Sequence, residues 1–134
     1  CVENSPRHAA VLRANFQAAG FPPGVLQTRV QDVFAALTQL AAARERFDLI
    51  LADPPYGEKN IGRRSTSLAQ RLLDEAALPE LLRVEGWLVL GHARRDTLSL
   101  PEHWQELKLL KHGDSFMRFL CPARAAGAPA AAAP

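Results

Sequence analysis

Apolar positions along the chain alternate between two periods. Ala9, Leu12, Phe16 and Ala19 follow a 3-4-3 spacing, which places one apolar face on a helix. Ser5 supplies an N-cap for it, Pro6 the first helical position and Gly20 the stop. Val2-Glu3 ahead of it reads as the end of a strand, and Val25 to Val30 as a further strand. A second helix is predicted from about Asp32, with Val33, Leu37, Leu40 and Ala41 on one side. Phe47 to Ala52 is nearly all apolar, which predicts a parallel strand buried on both faces. Leu68, Leu72 and Ala76 predict a third helix, broken or bent near Pro79, and Trp87 to Leu90 another buried strand. Leu107–Lys111 and Ser115–Leu120 predict an antiparallel pair turning at His112-Gly113-Asp114. Strands alternating with helices imply an α/β fold, with a mostly parallel sheet and an antiparallel hairpin at its end. No internal repeat is visible.

Composition narrows this only a little. The chain has 134 residues, of which 48% are hydrophobic, enough for a single domain with a core. Residues 123–134 are almost wholly Ala, Pro and Gly and are expected to be a disordered tail, leaving a folded domain over 1–122. A net charge of +2 does not by itself mark a nucleic-acid binder. Cys1 and Cys121 stand far apart without metal-ligand spacing, so a reducing, cytoplasmic setting is expected and no metal site. The four histidines have no such spacing either. Nothing approaches the roughly 18 continuous apolar residues of a membrane span, so no membrane partner is expected.

Chemistry concentrates at Asp53-Pro54-Pro55-Tyr56, where the Phe47 strand stops. Two prolines cannot donate to a sheet ladder, so the strand ends there. The chain then presents an acid, a rigid turn and an aromatic ring at the carboxyl edge of a sheet, the edge where open α/β folds bind ligands. Carbonyl and carboxylate acceptors beside an aromatic face suit a flat ring bearing an amino group. The alternative is a strand-ending turn with a surface tyrosine. Gly57 to Thr66 is polar and basic and predicts a mobile loop, whose Lys59, Arg63 and Arg64 could grip nucleic-acid phosphates or simply be solvated. His92, Arg94 and Arg95 could extend that patch. Trp87, Trp104, Phe116 and Phe119 are expected in the core.

In order along the chain, Val2-Glu3, Ala10 to Asn15, Gln31 to Phe34, Phe47 to Tyr56, Gly86 to Val89 and Gly113 to Ser115 resemble the S-adenosylmethionine-dependent amino-methyltransferases. The likeness is greatest to the bacterial 16S rRNA guanine-N2 methyltransferases of the RsmD type, and it covers residues 2 to about 120. It implies a Rossmann-like fold, S-adenosylmethionine as cofactor, and ribosomal RNA or the 30S subunit as partner. It also implies that Glu3 accepts hydrogen bonds from the cofactor ribose, the usual task of an acid at the end of the second strand of such sheets. Asp32 matches the position that contacts the cofactor adenine, while a plain helix N-cap remains open for it. Asp53 and the Pro54 carbonyl would accept from the target amino group, orienting its lone pair and draining positive charge as the bond forms. Asp53 would thereby also border the cofactor. Pro55 would fix the turn, and Tyr56 would stack on a base turned out of its helix.

The family's first strand and its glycine-rich loop, which cradles the methionine end of the cofactor, have no counterpart in these residues. In the family that strand lies beside the Asp-Pro-Pro-Tyr strand, so its absence implies an unfilled gap in the sheet and an edge open to self-association. A fragment or N-terminally truncated form of a working methyltransferase is therefore expected, with a degenerate chain as the alternative. Two other functions compete. One is DNA adenine-N6 or cytosine-N4 methylation, which uses the same acceptor geometry. The other is a non-catalytic module binding RNA or a partner chain.

Overall fold

In the computed structural model of the chain, the residues described are 1–123. Apart from Ala123, the tail expected to be disordered lies outside them. The chain forms two compact units, Cys1–Ala43 and the part from Arg44 onward. In the first, β1 (Val2–Glu3), α1 (Pro6–Ala18), β2 (Arg29–Val30) and α2 (Val33–Ala42) follow one another. The strands pair in parallel, Val2 against Arg29 and Glu3 against Val30. Helix α1 starts and stops on the residues that predict it. The Ser5 hydroxyl accepts from the His8 N–H at 3.3 Å, and Gly20, at φ 75°, takes the left-handed backbone beyond the last turn. Ala9, Ala36 and Leu37 are buried, and Phe16 stacks on Phe21 with centroids 4.6 Å apart. The strand expected over 25–30 contracts to Arg29–Val30. Its partner β1 offers only two residues to pair with, and Val25 is exposed.

The second unit comprises β3 (Phe47–Ala52), α3 (Leu68–Asp74), α4 (Ala77–Glu80), β4 (Leu82–Ala93), β5 (Trp104–His112) and β6 (Ser115–Pro122). Its sheet runs β3-β4-β6-β5, with β3 and β4 parallel and the other two pairings antiparallel. Strand β4 is much longer than the four residues expected, because it lies inside the sheet with β3 along one side and β6 along the other. Helices α3 and α4 pack on β4 and bury Leu72, Leu73, Leu78 and Leu81, while Leu88, Leu90 and Leu120 are buried on the strands. Each fully buried leucine contributes about 1.5–3 kcal/mol.

The helix expected to bend at Pro79 breaks earlier, at Glu75, whose backbone is extended. The freed Leu73 carbonyl accepts from the Trp104 indole at 3.0 Å and from His103 Nε2 at 2.8 Å. Pro79 falls in the first turn of α4, where its missing N–H costs no bond. Trp104 is core, as expected, but Trp87, Phe116 and Phe119 are only half-buried.

Strand β3 departs from its prediction in one respect. It is parallel, yet it pairs only with β4 and forms the sheet edge. Leu49 and Leu51, on the same side of the strand, are 49% and 72% exposed. An apolar run reports what a strand is built to face, and here only one of its faces is covered.

Candidate functional site

Strand β3 ends at Ala52, as the two prolines require, and delivers Asp53 beyond the last ladder pair, Ala52 with Leu90. The next residue along β4 is Gly91. A Cβ built there would stand 2.6 Å from Asp53 Oδ1, so the carboxylate lies in space that only glycine leaves open. Asp53 is exposed and accepts no hydrogen bond among the described residues. Tyr56 is half exposed. The motif thus offers a free carboxylate and an accessible ring at one sheet edge, three residues apart.

The segment after Tyr56 has no regular structure, and it is anchored rather than loose. Asn60 Nδ2 donates to Thr97 O at 2.9 Å, and its Oδ1 accepts from the Thr97 N–H at 2.8 Å. Arg95 Nε donates to Gly57 O at 3.2 Å. The mobility expected from its polar composition is therefore opposed by three bonds to the turn that follows β4. The segment folds round a cavity of about 400 Å³ lined by Tyr56, Lys59, Arg63, Arg64 and neighbouring residues. All three predicted cations are exposed there, with Arg64 paired to Asp74 at 2.5 Å. Arg94 and Arg95 are exposed, but His92 does not extend a basic patch. It is buried, its Nδ1 donating to Ala93 O (3.0 Å) and Asp96 O (3.1 Å) while Nε2 accepts from Arg118 Nε at 3.1 Å. Burial first, and the Arg118 charge second, lower its pKa below the usual imidazole value. Arg118 is bound in turn by Glu106.

Glu3 and Asp32 stand at the carboxyl edge of the first unit's two-stranded sheet, Glu3 paired with Val30 and Asp32 two residues further on. Both carboxylates serve the local backbone. Glu3 Oε1 accepts from the Ser5 N–H at 2.7 Å. Asp32 Oδ1 accepts from Phe34 and Ala35 N–H at 2.9 and 3.3 Å, so the N-cap role open to it in the sequence is realised. Each acid employs one oxygen in these bonds, and a carboxylate has room for further donors on the other. The acceptor set suits the hydroxyls and amino group of a nucleoside.

Three residues in close contact beside the motif carry no signal of their own: Gly91, which leaves room for Asp53, and Gly57, which packs against Asp96. Their roles rest on contacts between segments far apart in sequence. A glycine in a strand pattern hints at close backbone approach, which could have flagged Gly91 alone. Among the described residues no group of His, Cys, Asp or Glu could hold a metal ion, and no helix is long and apolar enough to cross a membrane.

The family model described as Conserved hypothetical protein 95 matches residues 1–121. A hypothetical protein of Thermus thermophilus, TTHA0928, is similar in structure, with a TM-score of 0.67 at 22% identity over 91% of this chain and 60% of its own. SMU.776, a candidate methyltransferase solved in complex with SAH, gives 0.68 at 18% identity over 89% of this chain and 37% of its own. The candidate methyltransferase yhhF of Escherichia coli gives 0.63 at 15%, over 90% and 60%. The chain therefore spans less than two thirds of the length of each of these three proteins. At such identities the likeness is one of fold, a Rossmann-like α/β architecture. A comparison with curated proteins gives no match.

Proposed function

The chain belongs to the Conserved hypothetical protein 95 family, and on that footing we propose that it serves S-adenosylmethionine-dependent methyl transfer to the amino group of a nucleobase. The observation that carries this reading is Asp53: an unpartnered carboxylate at the end of β3, laid over Gly91 and followed at once by Pro54, Pro55 and an accessible Tyr56. The resemblance to RsmD-type enzymes refines the target to guanine N2 of 16S rRNA. The SAH bound by SMU.776 supports the cofactor. Glu3 and Asp32 would hold its ribose and adenine, each through the oxygen not engaged by the backbone. The cofactor, when bound, would supply an electrophilic methyl group.

The chain's own residues do the rest. Asp53 and the Pro54 carbonyl accept from the two N–H bonds of the target amine, which fixes the direction of its lone pair. A nucleobase amine is a weak nucleophile because that pair is delocalised into the ring. The Asp53 carboxylate would stabilise the positive charge that the amine nitrogen gains on accepting the methyl group. The surplus proton then leaves to water or to Asp53. Tyr56 stacks on the base face, while Lys59, Arg63 and Arg64 neutralise phosphates around it. The exposed leucines of the β3 edge support the further reading that this sheet associates with another strand, from a second copy or a longer parent chain.

The test is transfer of labelled methyl from S-adenosylmethionine to 30S subunits and to deproteinised 16S rRNA, with calorimetric titration of the cofactor on the same samples. The expected result is label on guanine N2, lost in Asp53→Ala while cofactor binding persists. Equal transfer by Asp53→Ala would overturn the assignment.

A further inference from the structure

Asp96 is fully buried, and neither carboxyl oxygen accepts a hydrogen bond. Burying such a group without donors is costly, and it persists in a fold only when its surroundings over-determine it or a function requires it. Its place in the molecule indicates which. A Cβ added to Gly57 would collide with Asp96 Oδ2 and stand 2.5 Å from Ser67 Cβ. Arg95 Nε holds the Gly57 carbonyl from a third direction. The residue directly after Tyr56 is thus confined by two successive residues of one turn. That turn is itself fixed from behind. His92 donates to the carbonyls of Ala93 and Asp96, and Arg118 and Glu106 secure His92.

We propose that Asp96 is a positioning residue for Tyr56, acting through Gly57: the Ala93–Thr97 turn is a template against which the Asp-Pro-Pro-Tyr segment is set. The proposal rests on the methyltransferase reading only for what Tyr56 does once placed; the placement itself is independent of it. Asp96 works by occupying space beside Gly57, so an isosteric amide should keep Tyr56 in place and a small side chain should not.

The chain has a single tyrosine, so the ring resonances of selectively labelled Tyr56 report the segment without ambiguity. In Asp96→Ala those resonances should shift and broaden, and amide exchange over residues 57–66 should quicken about tenfold. Trp104 signals and the affinity for S-adenosylmethionine should stay as in the parent chain. Asp96→Asn should restore the parent Tyr56 spectrum. With 30S subunits, Asp96→Ala should raise KM more than it lowers kcat, since base stacking rather than chemistry is disturbed. Unchanged Tyr56 resonances in a folded Asp96→Ala, or equal disturbance in Ala and Asn variants, would overturn the proposal. Should Asp96→Ala fail to fold, Arg95→Ala removes the other hold on Gly57 and should produce the same Tyr56 shift; no shift would count against the template. If no variant or parent turns over, the methyltransferase reading fails while the Tyr56 spectra still decide the positioning.

Discussion

The acids that end strands are used in opposite ways in the two units. In the first, Glu3 and Asp32 each satisfy backbone N–H groups at a helix start. In the second, Asp53 satisfies none and rests over a glycine at the open end of a strand. An acid that caps a helix has a structural reason to be where it is, whatever else it binds. An acid with no partner contributes little to stability, so its position calls for a reason outside the fold. The contrast separates stability from function residue by residue, and it can be broken experimentally.

The largest effect is expected at Asp53. Asp53→Asn removes the charge but not the shape, and methyl transfer should fall about a hundredfold or more, the scale of losing one preorganised electrostatic partner. Thermal unfolding should not move. A drop in melting temperature with activity intact would reverse the contrast. Next comes Gly91→Ala, whose methyl group must displace the Asp53 side chain. Turnover should fall about tenfold, a misplacement effect, while cofactor affinity measured by calorimetry is kept.

Asp32 should show the opposite balance. Asp32→Ala should cost about 1 kcal/mol of stability in chemical denaturation, the usual value of an N-cap, whereas Asp32→Asn should cost almost nothing. If Asp32 also reads adenine, the alanine variant loses cofactor affinity as well. Unchanged stability in Asp32→Ala would erase the distinction between the units.

A smaller effect is expected from His92. Its folded pKa lies below the unfolded value of 6.5, so on acidification the unfolded chain takes up a proton first. Stability should therefore be unaffected by this group above about pH 6.5 and decline as pH falls below it. Denaturation midpoints between about pH 7 and about pH 5 would show the decline, and His92→Gln should have a flatter profile. An equal slope in both would remove His92 as its source. Smallest of all, Asp48→Ala breaks an exposed pair with Arg83 at 3.0 Å and should change stability by less than about 0.5 kcal/mol in the same denaturation assay.

The legible parts of this molecule were those governed by neighbours in sequence. Ser5, Pro6 and Gly20 bound α1, Asp32 caps α2, and Pro54-Pro55 end β3, because each acts within a turn of its own position. The hairpin turn at Gly113-Asp114 could be read for the same reason. What escaped depends on distant partners. The apolarity of β3 does not reveal that it forms an edge, and nothing near Trp87 announces that β4 extends to twelve residues. In the sequence His92 joins a basic cluster with Arg94 and Arg95; in the fold it is buried and accepts from Arg118 on another strand. The candidate site divides in the same way. Asp53 and Tyr56 are legible in the motif and Glu3 and Asp32 in the family resemblance, while Gly57, Gly91 and Asp96 matter only through contacts across the fold.

The strand order of the second unit has a bearing on how the protein is made. Strand β6, the last described, is not at the margin of the sheet but between β4 and β5. During synthesis, β4 must wait with one side unpaired until residues up to about 120 have left the ribosome, and only then can the antiparallel half zip closed. A nascent chain stalled before Ser115 would expose β4, the longest strand among the described residues, to any neighbour. The ribosome, proposed above as the enzyme's substrate, is thus also the surface beside which this sheet must wait to be finished.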